Sequence, residues 1–227
     1  MRNEVTRRDF IRTTAVITGL TCLEAAVPTP AGAAEAPVAS ARLTIAHPKR
    51  FRILQVTDLH YFAGDKIVHE SRNKGTTEII RQLIAEAKPD LLMATGDLWP
   101  ENRDGKGEER MRSVVHELES LGLPWAYTWG NHDQLPDFAV GHKVFRGAQN
   151  SLYRGDQSNG NYVIDVMDAK DRRLWQLVCL NTTRDGLAKE QQQWLETLKK
   201  ADPQPVPRIA FFHIPLKQYD DIWKNGA

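Results

Sequence analysis

Phe51-Arg52-Ile53-Leu54-Gln55-Val56-Thr57-Asp58-Leu59-His60 decides how this chain reads. An apolar, partly β-branched run with the composition of a strand stops at an Asp-x-His pair. The same arrangement recurs downstream. Leu91-Leu92-Met93-Ala94-Thr95 stops at Gly96-Asp97, Trp125-Ala126-Tyr127-Thr128-Trp129 at Gly130-Asn131-His132-Asp133, and Arg208-Ile209-Ala210-Phe211-Phe212 at His213. In open α/β sheets, ligands gather outside the carboxyl ends of strands. Four apolar runs each deliver polar groups to that edge.

Working outward, Ile79, Ile80, Leu83, Ile84 and Ala87 recur at helical spacing, which predicts an amphipathic helix over 76–88 stopped by Pro89. Met111, Val114, Val115, Leu118 and Leu121 predict a second helix, closed by Gly122 and Pro124. The resulting β-α-β-α-β alternation implies a parallel sheet with helices outside it. Residues 134–160 lack a period. Tyr162–Val166 and Leu174–Leu180 read as paired strands around the polar turn 168–173, giving a more antiparallel half. Leu187, Gln191, Trp194, Leu195 and Leu198 mark another helix, where Gln191 and Trp194 serve packing. Residues 37–50 read as a lead-in, with a short edge strand over 42–46.

The 227 residues are 41% hydrophobic and 26% charged, enough to bury a core and unlike a disordered, collagen-like or disulfide-rich chain. Thirty Lys and Arg against 29 Asp and Glu leave a net charge of +1, which offers no signal for nucleic acid or an anionic membrane. No apolar run approaches the roughly 18 residues of a membrane-spanning helix.

Residues 1–36 differ from the rest. Thr6-Arg7-Arg8-Asp9-Phe10-Ile11-Arg12 resembles the twin-arginine export signal, followed by a weakly apolar stretch over 13–27 and the small-residue sites Ala31-Gly32-Ala33 and Ala34-Glu35-Ala36. That order predicts a secretory signal, the twin-arginine machinery as a partner, and a periplasmic or secreted product. Cleavage removes four bases (Arg2, Arg7, Arg8, Arg12) and four acids (Glu4, Asp9, Glu24, Glu35), so the net charge is unchanged. It also removes Cys22, leaving Cys179 with no internal disulfide partner; its apolar neighbours predict a buried thiol.

Carboxylate, imidazole and amide at strand ends suit a borderline-hard divalent cation. In Asp58-Leu59-His60, the alternation of an extended segment aims both outer side chains the same way. Gly96 permits the tight turn that carries Asp97 to the edge. A carboxylate can bridge two cations, and Asn131 adds a neutral ligand.

The ordered set Asp58-x-His60, Gly96-Asp97, Gly130-Asn131-His132-Asp133 and His213 resembles the calcineurin-like metallophosphoesterase superfamily. More narrowly, the runs ending at His60, Asp133 and Leu216 resemble its purple-acid-phosphatase-like branch. The resemblance covers about residues 51–223. It implies a four-layer α/β/β/α sandwich over 51–227, a phosphate-ester substrate and two divalent ions (Mn, Zn or Fe). It further implies Asp58 and His60 on the first ion, Asp97 bridging, and Asn131 and His213 on the second. His132 is then implied to protonate the leaving oxygen, with Asp133 orienting its ring.

Two departures qualify the resemblance. Purple acid phosphatases carry a tyrosine three residues after the bridging Asp, where this chain has Pro100, so a coloured iron(III) site is not expected. The family's closing Gly-His-x-His is not found after His213, so the fold is expected to be incomplete at its C-terminus, by truncation in preference to degeneration. The alternative function is a non-catalytic relative that binds metal or phosphate. His142 and Trp99, near the site in sequence, are candidate substrate contacts, while His47 and His116 read as solvated residues.

Overall fold

The computed structural model describes residues 38–62, 67–156, 160–202 and 205–225. The expected export signal and its cleavage sites lie outside these residues. No described helix is long and apolar enough to cross a membrane.

Chain order gives β1 (Ser40–Thr44), β2 (Ile53–Val56), α1 (Ile67–Ala87), β3 (Leu91–Thr95), α2 (Gly107–Ser120), β4 (Trp125–Thr128), α3 (Phe138–Gly147), β5 (Tyr162–Met167), β6 (Arg173–Cys179), α4 (Lys189–Lys200), β7 (Arg208–Phe211) and α5 (Lys217–Asn225). Strands β2-β3-β4 form one sheet and β1-β5-β6-β7 a second. The first sheet is parallel throughout, with Ile53 opposite Leu91 and Leu92 opposite Trp125. Every residue of β3 and β4 is buried. A parallel strand covered on both faces reads as a continuous apolar run, which is the pattern of Leu91–Ala94.

The two sheets share one core. Tyr162, Ile164, Val166, Leu177, Cys179 and Phe211 of the second sheet join Leu92, Trp125 and Tyr127 of the first, together with Ile80 of α1 and Met111, Val114, Val115 and Leu118 of α2. The alternate residues Val163 and Val178 point away and pack with Leu180, Leu198, Leu187 and Trp194 under α4. Period-two alternation thus feeds two apolar layers from one sheet, and the result is the expected α/β/β/α sandwich.

Several sequence expectations are corrected. The first helix begins at Ile67, nine residues before the predicted start, because its first half is polar and interrupted by Gly75. Ile80 faces the core, whereas Ile79 and Leu83 are exposed. The aperiodic stretch contains α3, capped by the Asp137 side chain accepting from the Ala139 N–H at 2.8 Å. The second sheet is mixed: β5 and β6 are antiparallel, but β1–β5 and β6–β7 are parallel. β1 falls over Ser40–Thr44 and forms that sheet's edge.

Candidate metal centre

Two turns, one after β3 and one after β4, meet at the edge of the first sheet. Gly96 has φ +80°, a left-handed conformation that glycine adopts without penalty. A Cβ there would lie 2.6 Å from the His213 ring, so the absent side chain is the space His213 occupies. Gly130 is equally constrained: its Cβ would stand 2.1 Å from the backbone nitrogen and Oδ1 of Asp97. That approach brings Asn131 and His132 round to the same edge as Asp97. The end of β2 is tied in by backbone bonds. Asp58 N–H donates to Gly96 O at 3.1 Å, His60 N–H to Asp97 O at 3.0 Å and Tyr61 N–H to Leu98 O at 2.7 Å.

The side chains converge accordingly. Asp58, His60 and Asp97 each offer a ligand atom within 4.8 Å of one another. His213 Nε2 stands 3.3 Å from Asp97 Oδ2. Its Nδ1 lies 2.8 Å from Thr95 O. A carbonyl only accepts, so Nδ1 carries the hydrogen and Nε2 is the nitrogen turned to the site. The His132 backbone N–H donates to Asp97 Oδ1 at 2.8 Å, and its ring meets His60 edge-on at 5.2 Å. Half-buried Asn131 sits between Gly130 and His132 on that turn.

Asp58, His60 and Asp97 all have positive φ, at 55°, 45° and 53°. Left-handed backbone in residues other than glycine is sparsely populated, and its clustering at three converging side chains marks a site held against local preference. The donor set is two carboxylates and two imidazoles, joined by Asn131 on the adjoining turn. It fits a divalent cation.

Electrostatics follow from these contacts. Burial pushes the Asp97 carboxyl up, but hydrogen bonds from His213 and the His132 backbone outweigh it and leave the group below its ordinary value. The same contact, chiefly the Asp97 hydrogen bond, raises the His213 imidazole to about 9 against a smaller opposing effect of burial. Without a cation, His213 is therefore positively charged at neutral pH and stands in for the missing charge.

Three residues occupy places other than those the sequence suggested. Asp133 is buried, and its oxygens are spent on the backbone. Oδ2 accepts from Asp97 N–H (2.8 Å), Gly130 N–H (2.8 Å) and the Tyr127 hydroxyl (2.7 Å). Oδ1 accepts from Leu98 N–H (2.7 Å) and Trp99 N–H (3.3 Å). It ties the two turns together and does not orient the His132 ring. Trp99 is fully buried, its Nε1–H donating to Gln134 O and its ring stacked near Tyr127 and Phe145. His142 is buried too, Nδ1 2.7 Å from the Tyr153 hydroxyl and its ring edge-on to Trp129. Both lie in the aromatic cluster around Phe145 and Tyr153. What sequence reasoning missed is Glu101, whose Oε1 lies 3.6 Å from His132 Nδ1. Its position four residues after Asp97 was the available signal.

The family model described as calcineurin-like phosphoesterase matches residues 51–226. Protein SIA1 of Kluyveromyces lactis is 27% identical over 74% of this chain and 31% of its own length. Probable inactive purple acid phosphatase 28 of Arabidopsis thaliana is 26% identical over 76% of this chain and 55% of its own. The chain thus spans 31% to 55% of the length of these relatives. Among solved structures, a dimetal phosphatase from Danio rerio superposes with a TM-score of 0.51 at 14% identity, covering 73% of this chain and 70% of that one.

Proposed function

The chain belongs to the calcineurin-like phosphoesterase family, and from that premise we propose that it hydrolyses phosphate esters at a centre of two divalent ions. The carrying observation is the convergence of Asp58, His60, Asp97 and His213 from three separate strand ends, with the Nε2 of His213 already selected by Thr95 O. In this reading Asp58 and His60 would hold one ion, Asn131 and His213 the other, and Asp97 would serve both. When bound, such a pair supplies charge neutralisation and a nucleophilic oxygen from water at neutral pH.

The chain's own residues then do three things. Asp97 keeps its two oxygens on fixed partners, so the spacing of the ligands is set before substrate arrives. His132 turns Nε2 toward the ligand cluster, 3.9 Å from Asp97 Oδ2, where it can hold a proton for the leaving alkoxide. Water attacks phosphorus as the ester P–O bond breaks, the alkoxide takes that proton, and the attacking water loses one to solvent. Asp133 holds the turns on which Asp97 and His132 are mounted. Export through the twin-arginine pathway, proposed from Thr6–Arg12, would place this chemistry outside the cytoplasm.

Relatives named inactive make a second reading specific: metal or phosphate binding without turnover. One experiment separates the two. Wild type and Asp97→Asn are dialysed against Mn or Zn, their metal content is measured, and hydrolysis of nitrophenyl phosphate and of bis-nitrophenyl phosphate is followed. Hydrolysis accompanied by metal, with both lost in Asp97→Asn, supports the proposal. Metal retained with no hydrolysis of mono- or diesters favours the second reading. Metal content equal in the two proteins rejects the bridging role.

A further inference from the structure

Glu101 lies on the loop between β3 and α2, outside the set of ligands. The loop is built to a fixed shape. Buried Arg110 grips Asp104 with both guanidinium nitrogens at 2.7 and 2.5 Å and reaches Glu101 O at 3.4 Å. Asn102 Oδ1 accepts from Gly107 N–H at 2.6 Å. Glu101 is thereby turned toward the sheet edge, half-buried, with its two oxygens divided. Oε2 accepts from Arg103 Nε–H, and Oε1 faces His132 Nδ1 at 3.6 Å. The opposite ring nitrogen, Nε2, faces Asp97 in the ligand cluster. The imidazole therefore stands between a carboxylate behind it and the reacting space in front.

We propose that Glu101 is the positioning residue for His132, fixing the orientation and Nδ1–H tautomer of its ring while Arg103 holds the carboxylate in place. This rests on the phosphoesterase reading for its kinetic consequence but not for its structural one. A carboxylate behind an imidazole fixes which ring nitrogen carries the hydrogen and aims the opposite one. The role falls to Glu101 because Asp133 has no oxygen to spare.

Two variants and two readouts test the assignment in the full chain loaded with Zn, a diamagnetic ion that leaves the ring resonances observable. Glu101→Gln keeps the shape and the acceptor oxygen but not the charge; Glu101→Ala removes all three. Neither should change metal content. Turnover of an alkyl phosphate should fall about 10–100-fold in both, the usual range for losing an outer partner of a functional imidazole. Nitrophenyl phosphate, whose leaving group needs little protonation, should change less than about threefold. Nitrogen-15 shifts of the His132 ring should report the Nδ1–H tautomer in wild type and in Glu101→Gln, and a mixture in Glu101→Ala. Equal losses on both esters, or an unchanged tautomer in Glu101→Ala, would overturn the proposal and leave Glu101 a surface partner of Arg103. Should wild type hydrolyse neither ester while the tautomer still shifts in Glu101→Ala, the phosphoesterase reading fails and the positioning role stands.

Discussion

Asp133→Asn separates two accounts of one residue. The substitution preserves volume and replaces one oxygen with an NH2 group. Five donors point at the native carboxylate: Asp97, Leu98, Trp99 and Gly130 N–H and the Tyr127 hydroxyl. With the amide nitrogen at the Oδ1 position, it opposes the N–H groups of Leu98 and Trp99. Flipped to the Oδ2 position, it opposes those of Asp97 and Gly130. Tyr127 can rotate its hydrogen and accept, but a backbone N–H cannot. Either orientation strands two buried donors, at about 1–3 kcal/mol each, for a total of about 2–6 kcal/mol. One effect runs the other way, since burial raises the Asp133 carboxyl and a neutral amide escapes that cost. The lower half of the range is therefore expected. For a domain of this size the Tm should fall by about 2–4 °C per kcal/mol. Calorimetry in the presence of chelator isolates this from metal binding. A variant that melts with wild type yet loses hydrolysis would refute the reasoning and return Asp133 to a role in catalysis.

Two further outcomes follow from the same geometry and from the first residues. In metal-free protein, His213 titrates near 9 against an ordinary value of 6.5, so its contribution to stability is complete below 6.5 and disappears as pH rises through 9. Metal must displace that proton, so Mn affinity should rise over the same window and level off above it; titration calorimetry showing no proton release at pH 7.5 would contradict this. Replacing Arg7 and Arg8 with lysine should leave the protein in the cytoplasm with its signal attached, and fractionation showing normal processing would disprove the twin-arginine assignment.

Much of the sheet edge was legible because β3 and β4 are nearly continuous apolar runs, β2 is interrupted only at exposed Gln55, and each run is followed by a glycine or carboxylate. Burial of every residue in β3 and β4 enforces the first property and the turns enforce the second. α3 was hidden because Gly141 and Gly147 interrupt its pattern, although Gly141 is there to let the helix close on Leu135 and Trp129. The first half of α1 was hidden because its residues from Glu70 to Thr76 are polar or glycine and mostly exposed, and so carry no apolar stripe. Trp99 and His142 were misplaced for a different reason. Nearness to a ligand in sequence does not say which way a side chain turns, and both turn into the aromatic cluster around Phe145 and Tyr153. Asp133 was misplaced because its partners are backbone N–H groups, which leave no trace in residue identity.

The left-handed backbone at Asp58, His60 and Asp97 has a consequence for how such a site can change over generations. Asp, Asn and His are the residues other than glycine that enter this conformation most readily. Each position is therefore screened twice, once for its donor atom and once for its torsion angles. Glutamate passes the first screen and fails the second, so one carboxylate cannot replace the other. Asparagine passes the second and loses the charge. The easiest drift away from a metal-binding ancestor thus replaces Asp with Asn, erasing the electrostatics while the turns stay intact. Descent can silence these strand ends without disturbing their outline.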